Sequence, residues 1–299
     1  MGILQVGELA AMGTALLWTF SALIWTSTGR QIGSLPTSFL RLVLTCGFLV
    51  GYQQLLCGRW LPTDASAETW ILLGASGLAG FFLADVCLFK ALVLIGPRLT
   101  LLLQSLTPPL TAVIAAAFLD EQLDGKDWLA MAVTLTGVTW VVLERPNGRA
   151  KAHPPGQLRQ GVVLAVLAAI AQAVGMVLAR DGIGDYDAVA ATYIRVLGAM
   201  IGYVVLISLA RRWRAIRVAT YRGGIMVMIA SGAFIGPFLG VVLCMIALRH
   251  CHAGVAATIV STTPVLILPF VIFLHHEDVS LRAAGGAVLS VLGVALLVL

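Results

Sequence analysis

Two charged side chains, Asp85 and Lys90, stand inside one long apolar stretch of the chain. If that stretch crosses a membrane as a helix, an isolated charge near its middle costs several kcal/mol unless it is paired or hydrated. Asp85 lies near the middle, so it could bind the amine of a ligand, exchange a proton, or make a structural hydrogen bond to a neighbouring helix. Lys90 lies closer to the end and could snorkel. Five residues apart on a helix, the two side chains point about 140° apart and are poor partners for each other.

Prolines fall inside three of the apolar stretches. Thr107-Pro108-Pro109 and Thr263-Pro264 lie near the centres of two of them, and Pro237 lies in a third, opposite Gly80-Phe81-Phe82 in the first half. A proline inside a helix removes one backbone hydrogen bond and frees the carbonyl four residues before it. In hydrocarbon such a carbonyl needs a partner or a wet cavity. The prolines therefore predict either a substrate site or hinge, or packed kinks that Ser and Thr side chains satisfy.

Arginine and glutamate pairs recur in the two halves of the chain. Arg41 and Arg195 each lie one or two turns inside an apolar stretch. Arginine can hold a carboxylate with two parallel hydrogen bonds, but it can also snorkel to headgroups or tie helix ends together, and we favour this second interpretation. Glu121 and Glu277 fall at helix ends, where a carboxylate suits a helix N-terminus. We interpret both as structural.

Bulky and polar residues near the middle of apolar stretches complete the candidate site. Aromatic rings with a few polar groups around one cavity would suit an amphipathic small molecule. The predicted pathway residues are Trp18, Phe81, Phe82, Asp85, Gln104, Thr107, Pro108, Gln172, Tyr193, Pro237, Met245, Ser261, Thr263 and Pro264. We predict no catalytic residue, metal or cofactor. His275-His276-Glu277-Asp278 is the one cluster with metal-ligand chemistry, and its position in a short polar turn favours a solvated loop.

Membrane helices must position these residues. The chain has 299 residues, of which 60% are hydrophobic and only 11% charged, whereas a soluble domain carries about 25% charged residues. The charges separate apolar runs of about 20 residues, which can cross a hydrocarbon core of ~30 Å as helices. The predicted fold class is an all-α membrane protein with ten transmembrane helices. The predicted spans cover about 7–28, 36–57, 69–95, 97–119, 126–144, 159–180, 187–210, 222–248, 254–274 and 280–298.

The two halves of the chain resemble each other. A shift of 156 residues superposes Thr107-Pro108 on Thr263-Pro264, Glu121 on Glu277 and Gly137-Val138 on Gly293-Val294, and a shift of 154 superposes Arg41 on Arg195. Between the halves lies a polar stretch, ERPNGRAKAHPPGQLR. We predict a first repeat over residues 1–144, a linker over 145–158 and a second repeat over 159–299. Five spans per half would invert the second repeat, which is typical of secondary transporters with a site at the repeat interface.

The stretch from Ser105 to Leu143, SLTPPLTAVIAAAFLDEQLDGKDWLAMAVTLTGVTWVVL, resembles the EamA signature of the drug/metabolite transporter superfamily. The signature has a proline in mid-helix, a glutamate at the helix end and a glycine in the next helix. The second copy, Ser261 to Leu299, matches more loosely. Within the superfamily, the chain is most similar to bacterial exporters of amino acids, including aromatic ones. The resemblance implies a multi-pass protein of the bacterial cytoplasmic (inner) membrane, with a small-molecule substrate, no nucleic-acid partner and a plausible monomeric state.

The sequence leaves the orientation in the membrane open. Most of the Lys and Arg residues lie in the loops after odd-numbered predicted spans. The positive-inside rule would then place both termini outside. Ten-helix relatives are often drawn with both termini in the cytoplasm, which is the opposite arrangement.

Other function classes fit the sequence less well. An intramembrane enzyme needs a reactive constellation, and the chain has no HExxH, no GxSxG and no pair of mid-membrane aspartates. A channel would ordinarily be an oligomer with a pore loop, whereas the internal repeat indicates alternating access within one chain. Nothing requires a receptor or scaffold. The expected function is export of amino acids or similar small metabolites, with efflux of amphipathic drugs, or transport of another metabolite, as the alternative.

Overall fold

The computed structural model describes residues 3–143, 155–266 and 281–298. In these ranges the regular elements are all helices. Local caps begin some of the helices: the side chains of Ser66 and Asp187 accept hydrogen bonds from the backbone N–H groups of Thr69 and Ala190. The elements are α1 (Ile3–Ile32), α2 (Ser34–Cys57), α3 (Ala67–Gly77), the π-helical turn π1 (Leu78–Leu83), α4 (Ala84–Gln104), α5 (Thr107–Phe118), α6 (Gly125–Leu143), α7 (Pro155–Ile183), α8 (Ala188–Leu209), α9 (Trp213–Thr220), α10 (Gly223–Ala233), the π-helical turn π2 (Phe234–Gly240), α11 (Val241–His250), α12 (Ala253–Val260), α13 (Thr263–Leu266) and α14 (Leu281–Val298).

Six helical stretches within the described ranges are long and apolar enough to cross a membrane. They are Val6–Gly29, Ser34–Leu56, Ala67–Ile95, Gly156–Ile183, Ala188–Leu209 and Gly223–His250, and Thr107–Phe118 and Gly285–Leu296 are shorter apolar helices. Large apolar side chains such as Leu55, Val93, Phe118 and Leu209 are exposed on the outside of the bundle, which suits lipid contact. The chain is therefore an all-helical membrane protein, and the number of ten spans stays a prediction.

The predicted third span ends where the apolar stretch Ala67–Ile95 ends, but the expected break of the helix at Gly96-Pro97 is wrong. α4 continues through these residues to Gln104, and the interruption lies at Ser105-Leu106. A proline removes one backbone hydrogen bond without necessarily ending a helix. Thr107 and Pro108 consequently begin α5 instead of kinking the middle of a continuous span. Proline suits this position because the first N–H groups of a helix lack a partner within the helix.

The irregular segments of the first half have counterparts in the second half. α12 ends at Val260 and α13 begins at Thr263, so the second interruption falls at the position equivalent to the first. The π-helical turns π1 and π2 also fall at equivalent positions. The two halves therefore share their breaks as well as their residue pattern, which an internal repeat explains.

Glycines bring α6 and α14 into close contact. A Cβ atom on Gly137 would overlap the backbone of Ser290, and one on Gly293 would overlap Thr134. Both glycines were singled out because they occupy equivalent positions in the two halves. Membrane helices approach closely at glycine because no side chain separates the backbones. The repeated glycines thus pack α14 of the second half against α6 of the first.

Glu121 also fastens the two halves together. Its Oε1 accepts a hydrogen bond from Nε of Arg180 at 2.9 Å, and its Oε2 accepts one from the backbone N–H of Ala253 at 3.0 Å. The structural interpretation of Glu121 is therefore confirmed, but the helix that it caps is α12 and not the next helix, α6. The equivalent Glu277 lies outside the described residues, as does the whole His275–Asp278 cluster.

Two loops outside the spans meet at Asp64. Its carboxylate accepts a hydrogen bond from the hydroxyl of Tyr186 at 3.0 Å and pairs with Nη1 of Arg59 at 3.1 Å. Burial alone would raise the pKa of Asp64, but these two partners outweigh it and lower that pKa below its ordinary value. Burial and the hydrogen bond to Asp64 raise the pKa of Tyr186.

Candidate functional site

A cavity of about 360 Å³ lies where helices of the two halves meet. Its walls include α1, α2, π1, α4 and α5 from the first half and α7, π2, α12 and α13 from the second. Ten of the predicted pathway residues line it: Trp18, Phe81, Asp85, Gln104, Thr107, Pro108, Gln172, Pro237, Ser261 and Thr263. A cavity of this size is large enough for a small molecule.

An ion pair forms part of the cavity wall. Nη2 of Arg41 on α2 donates a hydrogen bond to Oδ2 of Asp85 on α4. The guanidinium carbon of Arg41 also lies 5.7 Å from the ring centroid of Trp25, within cation–π distance. Both charged side chains are mostly buried, yet both line the cavity. A cation and an anion are therefore held side by side where a ligand would enter.

The preference for a snorkelling or helix-end role is wrong for Arg41 and for Arg195. Arg41 faces the cavity, and Arg195 on α8 is 2% exposed. The physical reason is that α2 and α8 pack against other helices at these positions, so both side chains point into the bundle. Sequence spacing gives depth along a helix but not the direction in which an arginine points when the helix is apolar all round.

Arg195 lies directly behind the cavity wall. Its guanidinium carbon is 4.5 Å from the ring centroid of Phe81, and its Nη1 lies 3.1 Å from Sδ of Met245. Among the described residues no carboxylate pairs with it, and its Nε is buried without a hydrogen-bond partner. A Cβ atom on Gly80, which lines the cavity, would lie 3.7 Å from Nη2. One aromatic ring and one glycine thus separate a buried cation from the cavity.

Aromatic rings and amides surround the ion pair. The indole rings of Trp18 and Trp25 pack on π2, where Gly240 and Gly236 leave room for them. Gln104 brings an amide from the end of α4, and its Oε1 is buried without a hydrogen-bond partner in the described part of the chain. Gln172 brings a second amide from α7. The site can therefore offer a hydrogen-bond acceptor and apolar faces next to its two charges.

Threonine hydroxyls satisfy two of the carbonyls that prolines free. The hydroxyl of Thr263 donates to the carbonyl of Val260 at 2.8 Å, four residues before Pro264. The hydroxyl of Thr45 donates to the carbonyl of Ala233 at 3.5 Å, four residues before Pro237. Side chains therefore satisfy these two carbonyls, and Pro108 and Pro237 also line the cavity.

Three other predicted pathway residues, Phe82, Tyr193 and Met245, do not line the cavity. Phe82 packs edge to face against Tyr203 at 5.1 Å. Tyr193 is buried and its hydroxyl donates to the carbonyl of Trp60 at 3.2 Å. Met245 is fully buried beside Arg195. Pro264 belongs to α13, but its side chain is outside the described part of the structure.

Several lining residues were not among the predicted pathway residues, and Trp25 and Ser21 are two of them. Trp25 lies seven residues after Trp18, which is two helical turns along the same face, so helical periodicity carried a signal for it. Ser21 lies between them on the same side and also lines the cavity. In contrast, Lys90 is exposed, consistent with the snorkelling alternative. In the described ranges no three His, Cys, Asp or Glu side chains are grouped as a metal site requires.

Comparisons with known proteins identify the family. Residues 5–143 and residues 159–299 each match the EamA-like transporter family, whose members are membrane transporters and not enzymes. Among solved proteins, a crystal structure superposes with a TM-score of 0.74 over 97% of this chain and 95% of the other chain, at 21% sequence identity. That similarity shows the fold alone. No curated protein matches the chain. Because the family match is found twice and covers nearly all residues, the chain belongs to the EamA-like transporter family.

Proposed function

We propose that this protein is a secondary transporter that exports amino acids, or closely similar small zwitterions, through the central cavity. The observation that carries the proposal is the Arg41–Asp85 pair in the cavity wall. An amino acid carries a carboxylate and an ammonium group a few bonds apart. Its carboxylate matches the guanidinium of Arg41, and its ammonium matches the carboxylate of Asp85. When a zwitterion binds, the Arg41–Asp85 ion pair can be replaced by two ion pairs, one between each side chain and the ligand. Neither buried side chain is then left without a partner of opposite charge.

The surroundings of the pair fit the rest of an amino acid. Trp18, Trp25 and Phe81 provide apolar faces for a side chain, and Gln104 provides an acceptor for an N–H group. Aromatic or large aliphatic side chains would bury most apolar surface against these rings. We therefore infer that amphipathic amino acids are better substrates than small polar ones.

The charge balance of the cavity favours zwitterions over the runner-up substrates, amphipathic cations. A cation binds best to a carboxylate that has no other partner. Among the lining residues the carboxylate is that of Asp85, and Arg41 already neutralises it. A cationic drug would have to displace Arg41 and leave the guanidinium unpaired, which costs free energy that no group on the drug returns.

The repeated breaks support transport by alternating access. The interruptions at Ser105-Leu106 and Ser261-Thr262, and the turns π1 and π2, all lie next to the cavity and fall at equivalent positions in the two halves. Inverted repeats that rock around a fixed site use discontinuous helices of this kind. We propose a first repeat over residues 1–144, a linker over 145–158 and a second repeat over 159–299, and a location in the bacterial cytoplasmic membrane.

Uptake into proteoliposomes tests the proposal. Radiolabelled phenylalanine, leucine, threonine and glutamate are offered with and without an imposed pH gradient, together with phenethylamine and phenylpropionate. These two analogues of phenylalanine lack the carboxylate and the ammonium group, respectively. We expect saturable, protein-dependent uptake of phenylalanine and leucine and little uptake of either analogue. The response to the pH gradient decides whether protons are coupled to transport.

The alternatives give different results in the same assay. Uptake of phenethylamine that equals or exceeds uptake of phenylalanine would replace the zwitterion by an amphipathic cation. Absence of uptake for all six compounds would remove amino acids as the substrate class. A matched control is the Arg59→Gln, Asp64→Asn double variant, which removes an ion pair outside the cavity and should transport like the wild type.

A further inference from the structure

A second groove, lined by arginines, lies where α9 meets the end of α1 and shares no lining residue with the central cavity. Its volume is about 460 Å³, and Arg211, Arg212, Arg214 and Arg222 line it together with Gln31. All four arginines are exposed. In the described part of the structure none of them pairs with a carboxylate, and the hydrogen bond in the groove runs from Nη1 of Arg222 to the carbonyl of Gln31 at 3.4 Å. Four like charges around one groove repel each other until an anion is bound.

The groove lies at the ends of helices that are long and apolar enough to cross a membrane. Two membrane-spanning helices flank it: α8 ends at Leu209 and α10 begins at Gly223. Between them, Trp213 of α9 packs edge to face against Phe39 at 5.7 Å and donates its Nε1–H to the hydroxyl of Ser208 at 3.1 Å. A tryptophan with one packed face and one polar contact is typical of the membrane interface.

Exposed apolar side chains border the arginines. Leu209 is 79% exposed, Val218 is 54% exposed and Tyr221 is 81% exposed. Val218 belongs to the groove itself. Side chains of this kind next to a cluster of guanidinium groups fit a molecule with an anionic head and an apolar tail, because a free inorganic anion would leave the apolar surface without a partner.

Arg211 has a left-handed backbone conformation that favours glycine, so its side chain is what distinguishes arginine at this position. Arg211 has a φ of +52° and follows the last turn of α8, where its N–H donates to the carbonyl of Ser208 at 3.1 Å and the N–H of Arg212 donates to the carbonyl of Ile207 at 3.0 Å. This hydrogen-bond pattern ends helices most easily at glycine, because an L-residue is strained at positive φ. An arginine here keeps a guanidinium in the groove at the expense of backbone strain.

We propose that this groove binds the phosphate of an anionic phospholipid headgroup. Guanidinium groups bind phosphate oxygens with paired hydrogen bonds, and several around one phosphate provide both charge and direction. A zwitterionic lipid would bring its own ammonium group toward four arginines, so the groove prefers phosphatidylglycerol over phosphatidylcholine. The acyl chains lie along the exposed side chains of Leu209, Val218 and Tyr221.

The test uses the full-length chain in detergent, without any transport assay. Native mass spectrometry measures bound lipid while dioleoyl phosphatidylglycerol or dioleoyl phosphatidylcholine is titrated in. We expect half-occupancy at a concentration of phosphatidylglycerol at least tenfold lower than that of phosphatidylcholine. The variant Arg211→Gly, Arg212→Gln, Arg214→Gln should lose this preference, and it should still fold because glycine suits the helix end at position 211.

Three outcomes would overturn the proposal. One is a triple variant that keeps the preference for phosphatidylglycerol. Another is an equal loss of preference in a matched control that replaces the exposed residues Lys126, Arg159 and Arg282 by glutamine, since this would make the effect one of net charge. The third is displacement of phosphatidylglycerol by millimolar inorganic phosphate, which would assign the groove to a soluble anion.

Discussion

Arg41 and Arg195 lie in corresponding helices of the two halves, yet Arg41 faces the central cavity and Arg195 is sealed beneath the ring of Phe81. Arg41 pairs with Asp85, whereas among the described residues no carboxylate pairs with Arg195. Two equivalent cations therefore have different surroundings in one conformation. A transporter built from inverted repeats exchanges the surroundings of its two halves during turnover. We expect Arg195 to become accessible in the opposite conformation, when Phe81 moves.

The ion pair should be essential for transport. We expect Asp85→Asn, and separately Arg41→Gln, to lower the uptake of phenylalanine by about tenfold or more, because each variant leaves the other charge buried without its partner. The measurement is initial uptake in proteoliposomes, normalised to folded protein. Wild-type rates for Asp85→Asn would show that the pair lies outside the pathway. The double variant Asp85→Asn, Arg41→Gln should fold at least as well as either single variant, since no lone charge remains.

Arg195→Met should reduce transport without lowering stability. A desolvated cation–π contact such as that with Phe81 contributes about 2 kcal/mol, and burying a charge that has no carboxylate partner costs several kcal/mol. We therefore expect the thermal midpoint of the variant to equal or exceed that of the wild type while the uptake rate falls. A much lower midpoint would instead make Arg195 a packing residue. Arg195→Lys serves as the comparison that keeps the charge but not the planar group.

The breaks beside the cavity should control the rate of turnover. In Pro108→Ala and Pro264→Ala a backbone N–H is restored, which allows each interrupted helix to become continuous. We expect each variant to slow uptake several-fold with little change in the substrate concentration at half-maximal rate. Pro62→Ala, in the loop between α2 and α3, is the control that should transport normally. Unchanged rates in both helix variants would leave the prolines as packing features.

The glycine contact between α6 and α14 should be essential for stability. Gly137→Val would force a side chain into the backbone of Ser290, and we expect a loss of about 1–3 kcal/mol or failure to fold. Gly285→Ala in α14 is the matched control, because a Cβ atom there meets nothing within 4 Å. Alanine is also the better helix former, so the control should be neutral or slightly stabilising. Thermal unfolding in detergent measures both, and equal midpoints would show that the two helices can separate without cost.

The contact between Asp64 and Tyr186 should make a small, pH-dependent contribution to stability. The pKa of Asp64 is lowered in the folded state, so this contribution is present above the ordinary pKa of 3.8 and is lost as the pH falls through the folded-state value. The pKa of Tyr186 is raised, so its contribution is present below 10.0 and is lost at more alkaline pH. Tyr186→Phe should therefore lower the thermal midpoint near neutral pH, by about 2 °C or less because the pair is exposed. The difference should shrink as the pH falls below 3.8 and Asp64 becomes protonated; a difference that stays constant as the pH is lowered from 7 through the acid range would contradict this assignment.

The sequence by itself determined that the chain is a helical membrane protein, and it indicated which residues are candidates for the site. Both follow from local patterns. The spacing of charges indicates the spans because a charge in hydrocarbon is costly. The few prolines at matching positions and the lone aspartate inside an apolar stretch mark candidate site residues. The repeat also followed from the sequence, because Thr107-Pro108 and Thr263-Pro264 carry the same pattern at a constant shift. Ten of the fourteen predicted pathway residues line the cavity for this reason.

Only the tertiary structure decided which of these residues meet. Arg41 pairs with Asp85 because α2 and α4 lie side by side, and Arg195 lies behind Phe81 because α8 packs against π1. Glu121 caps α12, a helix more than one hundred residues away along the chain. Membrane helices that are apolar on all sides give little periodic signal about which face turns inward. The neighbours of each helix, and the rotation that presents one side chain to the cavity and hides the next, are set by packing of the whole bundle.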